Sequence, residues 1–124
     1  MSTEKEEKIL DRLRQLASQR ACAIDTLTQP NSLTIGSVHD TRRRCGKPGC
    51  YCAKEPGHLQ TVLMSVSESR RRCQLVRQDD VKTVRRSVAR YKDFRAGLRT
   101  IKALDLKALT LLKQLMRLRD TPYK

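Results

Sequence analysis

Tryptophan is absent from this chain, and phenylalanine occurs once, at Phe94. With three tyrosines, aromatic side chains make up 3% of the 124 residues. Readers of single-stranded nucleic acid stack bases on aromatic rings, so this chain is poorly equipped for that task. A helix lying in a membrane surface needs Trp or Phe anchors, which are equally scarce. No stretch approaches the ~18 apolar residues of a membrane span. The opening Met1-Ser2-Thr3-Glu4-Lys5-Glu6-Glu7 is too acidic and polar for a signal or transit peptide. These absences predict a cytoplasmic protein that does not engage a membrane.

Acidic residues are the second shortage. The chain has 13 Asp+Glu against 27 Lys+Arg, a net charge of +14. The imbalance is local: residues 1–40 hold five basic and six acidic side chains, and residues 41–124 hold 22 and seven. Such self-repulsion resists compaction, and a polyanion relieves it through neutralisation and counterion release. A solvated face that merely keeps the protein in solution needs no such lopsided layout. Nucleic acid is the expected partner. The aromatic shortage favours double-stranded DNA, with duplex RNA read by shape as the alternative.

The cysteine count is odd: Cys22, Cys45, Cys50, Cys52 and Cys73. Without a secretion signal, this argues against a disulfide framework. Three of the five fall in Arg42-Arg43-Arg44-Cys45-Gly46-Lys47-Pro48-Gly49-Cys50-Tyr51-Cys52, with His58 six residues on. Three thiolates and an imidazole make a closed tetrahedral zinc set. Gly46, Pro48 and Gly49 permit the tight bend that aims the thiolates at one point. The adjacent Arg42, Arg43, Arg44 and Lys47 would offset the centre's negative charge. Cys73 is the alternative fourth ligand, and His39 is a third. The plainer reading is a turn with small buried cysteines and no metal. Cys22 reads as an apolar helix-end residue. Catalysis by Cys50 or Cys52 with His58 would need an orienting group and a pocket, for which so short a basic chain has little material. The protein is read as non-enzymatic.

What remains is an α+β pattern in one compact domain with a modest core, 38% of residues being hydrophobic. Ile9, Leu10, Leu13, Leu16 and Ala17 recur at helical spacing, predicting an N-terminal helix over 1–24, capped by Ser2 or Thr3 and ending between Arg20 and Ile24. The Cys-rich and β-hairpin part spans 33–78. Leu33–Val38 alternates as a short strand, and Gln60–Val66 and Arg71–Val76 form a hairpin with Glu68 at its tip. Asp79 or Asp80 then caps a long C-terminal helix over 79–119, with Gly97 and Asp105 as the points where it would break. Its apolar series, Val81 to Leu118, keeps near-heptad spacing. An N-terminal helix of about 27 Å is too short to cover that series. The surplus from Leu98 to Leu118 calls for a homo-oligomeric coiled coil or bundle, a fold-back after Gly97, or a partner protein.

If the strands are antiparallel, the triplets Arg42–Arg44 and Arg70–Arg72 can share one end of a small sheet. Arg77, Lys82, Arg85 and Arg86 begin the long helix just beyond. A basic ribbon or helix of this kind can enter the major groove with flanking cations on phosphates. The candidate nucleic-acid residues are Arg42, Arg43, Arg44, Lys47, Arg70, Arg71, Arg72, Arg77, Lys82, Arg85 and Arg86.

The run Cys45-Gly46-Lys47-Pro48-Gly49-Cys50-Tyr51-Cys52-Ala53, followed by His58, resembles the signature of a bacterial and archaeal family, the domain of unknown function DUF6788. The hairpin and the Val81/Val84 helix start with Tyr91 and Phe94 resemble it too, over about residues 34–100. This chain has His58-Leu59-Gln60 where the family reads His-Gly-Pro. The resemblance implies a DNA-transaction accessory of mobile elements, working beside a recombinase or transposase. It implies no catalytic residues. The alternatives are an RNA-binding subunit of a ribonucleoprotein and an adaptor whose basic surface meets an acidic protein.

Overall fold

The computed structural model describes residues 2–43, 49 and 57–123. In order, the elements are α1 (Ser2–Leu27), β1 (Ser37–Arg43), β2 (His58–Ser67), β3 (Arg70–Val76), a 3-10 turn (Gln78–Asp80) and α2 (Val81–Leu118). The architecture is α+β. The chain forms two compact units: a helical unit of Met1–Pro30 with Phe94–Lys124, and a sheet unit of Asn31–Asp93.

In the helical unit, α1 contains neither Gly nor Pro. Its stripe continues past Leu16 through Ala23, Ile24 and Leu27, so the helix outlasts the predicted end. Thr28 closes it by donating its amide to Ile24 O at 3.0 Å and its hydroxyl to Asp25 O at 3.1 Å. Gln29 Nε2 also donates to Asp25 O, at 3.1 Å. These bonds satisfy carbonyls that a helix end otherwise leaves unpaired. Pro30 follows and disfavours further helix. Thr3 is the helix's second residue rather than its cap. Cys22 is exposed on α1, not an apolar end residue.

With 26 residues, α1 is about 39 Å long. It lies antiparallel to the C-terminal part of α2, and three contacts set the alignment. Arg119 Nε meets Glu6 Oε1 at 2.6 Å, and Arg20 Nε meets Asp105 Oδ1 at 2.8 Å. At the far end, Leu27 covers Gly97. Between them the seam buries Ile9, Leu16, Leu104 and Leu115, with Leu16 the deepest at 2% exposure. Of the stripe expected to outrun the first helix, the part from Ile101 to Leu118 is thus covered, while Leu98 stays 52% exposed.

Neither Gly97 nor Asp105 breaks α2. Gly97 leaves room for Leu27, and Asp105 receives Arg20. A Cβ at Gly97 would sit 2.6 Å from Leu27 Cδ2. Gly97→Leu therefore lowers stability by about 1–3 kcal/mol through overpacking, although leucine is the better helix former. Urea denaturation measures this. An unchanged midpoint would show that Leu27 does not pack there.

In the sheet unit the strand order is β1-β2-β3, antiparallel throughout. The alternating Leu33–Val38 segment is mostly not a strand. Thr34 N–H donates to Ser87 O at 3.1 Å, and Arg90 Nη1 donates to Ser32 O at 3.2 Å, so this segment bonds to α2. Strand pairing starts only at Ser37 and runs on through Arg42 and Arg43, which the sequence had placed in the Cys-rich turn. Glu68 and Ser69 have φ of 53° and 65°. Two central residues with positive φ make a type I′ hairpin turn, whose twist matches that of the flanking strands. The hairpin and its Glu68 tip stand as the sequence predicts.

Candidate nucleic-acid interface

Strand register decides which cations share a surface. Arg70, Arg71 and Arg72 pair with Ser67, Val66 and Ser65, beside the hairpin turn. Arg42 and Arg43 pair with Leu59 and His58, at the opposite end of β2. Seven residues separate Leu59 from Val66, about 23 Å along a strand. Arg42 and Arg43 therefore do not share one end of the sheet with Arg70, Arg71 and Arg72. An antiparallel sheet with β2 in the middle sends the start of β3 and the end of β1 to opposite ends.

Pleating splits the hairpin-tip group between faces. Arg71 projects with Val66 and Met64, and Arg70 and Arg72 project from the other side. All three arginines are exposed. Val66 and Leu75, 66% exposed each, place apolar surface on Arg71's face. There Ser37, His39, Met64, Ser65, Val66 and Arg71 line a shallow cleft of about 280 Å³. This apolar surface beside the cations is not readable from the sequence, because strand alternation alone does not say which face is covered.

The second cationic group lies toward the His58 end. Arg42 Nη1 donates to Gly57 O at 3.3 Å. Arg85 Nη2 binds Asp40 Oδ1 at 2.7 Å, and Thr61 donates to the same oxygen at 3.0 Å. Arg85 thus ties α2 to β1 and β2 and is partly consumed by structure. This junction carries no sequence signal, since it joins residues 45 apart. Arg77 follows Val76, which pairs with Thr61. Lys82 and Arg86 lie one turn apart on α2 and are exposed. Among the described residues, Arg43, Arg70, Arg71, Arg72, Arg77, Lys82 and Arg86 form no ion pair with a carboxylate. Unpaired cations of this kind are available to phosphates.

Arg44, Lys47, Cys45, Cys50 and Cys52 lie outside the described residues. The other zinc-ligand candidates can be placed. His58 is the first residue of β2, opposite Arg43. Next to it, Gly57 is buried with φ +108°, and a Cβ there would come within 2.6 Å of the Arg43 carbonyl. Only glycine allows that approach. Cys73 pairs with Met64, six residues along β2 from His58, or about 20 Å. His39 pairs with Val62 and has its Nε2 2.8 Å from Ser37 Oγ. The three candidates for a fourth ligand are therefore well separated, and only His58 adjoins the 44–56 connection. Among the described residues, no three His, Cys, Asp or Glu side chains cluster as a metal site. None of the described helices is long and apolar enough to cross a membrane.

A family model described as a domain of unknown function, DUF6788, matches residues 4–93. The match takes in α1, the sheet and the first part of α2, beginning well before the resemblance read from the motif. No curated protein and no solved structure matches the chain.

Proposed function

The chain belongs to the DUF6788 family, and from that premise we propose that it is a non-enzymatic, cytoplasmic DNA-binding protein that grips duplex DNA through its basic β-hairpin. One observation carries this reading: Arg70, Arg71 and Arg72 stand exposed beside a tight turn, unpaired with any described carboxylate. A two-stranded ribbon is narrow enough for the ~12 Å major groove. Cations on both of its faces can reach phosphates on both walls. Arg43, Arg77, Lys82 and Arg86, with Arg44 and Lys47, extend the contact along the backbone. The mobile-element setting, with a recombinase or transposase as partner, rests on the family resemblance.

Zinc held by Cys45, Cys50, Cys52 and His58 would stiffen the connection between β1 and β2. Its place is structural, a closed site without an open coordination position. The position of His58 beside that connection favours it over Cys73 as the fourth ligand. Protein purified without chelator carries about one zinc per chain by elemental analysis, and His58→Ala carries less. Metal-free protein of unchanged fold would remove the zinc claim.

Competition tests the nucleic-acid class. Unlabelled duplex DNA displaces a labelled duplex at lower concentration than structured RNA of equal length. The reverse order would assign the protein to a ribonucleoprotein. Failure of both would leave the basic surface to an acidic protein partner.

A further inference from the structure

The helical unit has a second apolar face that its own seam does not use. On α2, Leu98, Leu109, Leu112 and Met116 are between 47% and 64% exposed. At 100° per residue they form one stripe, turned away from the Ile101–Leu104–Ala108–Leu111–Leu115 seam. On α1, Leu10, Ala17, Ala21 and Ile24 form the matching stripe on the same side of the helix pair. The stripe runs about 27 Å from Leu98 to Met116 across a helix pair about 20 Å wide, or about 540 Å². The side chains along its edges extend it toward the ~800 Å² per partner of a standard specific interface. The Arg20–Asp105 pair crosses it and leaves no net charge there.

Charge identifies the occupant and its orientation. Residues 94–124 hold eight basic and two acidic side chains, and residues 1–30 hold five of each. Lys102 and Lys113 flank the stripe on α2, and Glu7, Arg14 and Asp25 flank it on α1, where Arg14 is bonded to Asp11 at 3.2 Å. A two-fold axis across the helices would lay α2 on the partner's α2, setting these lysines against each other. An axis along the helices lays α1 on the partner's α2 and preserves the level of each residue. The seam pairs Glu6 with Arg119 and Arg20 with Asp105, so Asp25 lies level with Thr100. Lys102 is two residues from Thr100, about 3 Å along the axis. We infer that this face is covered by a second copy of the chain, forming a four-helix bundle in which α1 of each copy packs on α2 of the other, Asp25 beside Lys102. This is independent of the nucleic-acid reading, since it involves none of the hairpin cations.

Sedimentation equilibrium of the full-length protein tests it. The wild type sediments at twice the chain mass. L109E/M116E sediments at the chain mass with unchanged helix content by circular dichroism, because both positions are exposed within one copy. K102E and D25K each weaken the dimer about tenfold, a like-charge pair replacing an opposite one twice by symmetry. D25K/K102E restores it to within about threefold. A wild type of single-chain mass at every attainable concentration would overturn the inference. So would a dimer that survives L109E/M116E, or one that K102E strengthens, which marks α2 on α2.

Discussion

Changing Arg70, Arg71 and Arg72 together to alanine weakens binding to duplex DNA about a hundredfold at ~0.15 M salt. The figure follows from counterion release. Each cation placed on a phosphate adds about 0.9 to the slope of log affinity against log salt, so three of them add about 2.7. The slope of the variant is therefore shallower by that amount, and the two effects must appear together. All three side chains are exposed, so the substitution removes charge without disturbing the core. Net charge alone predicts a different pattern. Changing Lys5, Lys8 and Arg12 on α1 removes as many cations from the helical unit. On the present account that control loses only about threefold, a screened long-range effect. Equal losses in the two variants would mean that the hairpin is not the contact surface.

The second large effect concerns stability. Leu16 has 2% of its surface exposed and lies at the centre of the seam between α1 and α2. Leu16→Ala lowers unfolding stability by about 3–4 kcal/mol, combining the lost transfer free energy with the cavity left behind. Domains of this size are stable by about 5–15 kcal/mol, so the variant loses a large share. Leu106→Ala is the comparison, because Leu106 is 56% exposed and its loss costs less than about 1 kcal/mol. Denaturant titration of both variants separates the cases. A Leu16→Ala midpoint equal to that of Leu106→Ala would show that the helices do not meet at this residue.

Several elements were legible in the sequence because one physical cause dominates each. The heptad spacing from Ile101 to Leu118 and the stripe from Ile9 to Leu16 require burial, and they bury each other. The Glu68-Ser69 turn was readable from two β-rich runs flanking a short polar step. Other features were decided by competition. Leu33–Ile35 alternates like a strand, but its amide partner is Ser87 O on α2 rather than another strand. Gly97 and Asp105 resemble helix breaks in isolation, yet Leu27 and Arg20 on α1 turn both into packing contacts. The separation of the arginine groups was hidden because register is not a property of composition. Three consecutive arginines alternate across both faces of β3 and give no apolar pattern to fix it. Of the candidate site, the hairpin cations were found from charge alone. The Arg85–Asp40–Thr61 junction was not, because its members are ordinary surface residue types in sequence.

The central claim is that the unpaired cations of the sheet unit meet phosphates of duplex DNA. Affinity of the wild-type protein for one duplex, measured by fluorescence anisotropy across a range of salt concentrations, tests it most directly. If Arg43, Arg70, Arg71, Arg72, Arg77, Lys82 and Arg86, with Arg44 and Lys47, each engage a phosphate, log affinity falls against log salt with a slope of about −8. A slope shallower than about −2, or no binding at low salt, would contradict the account.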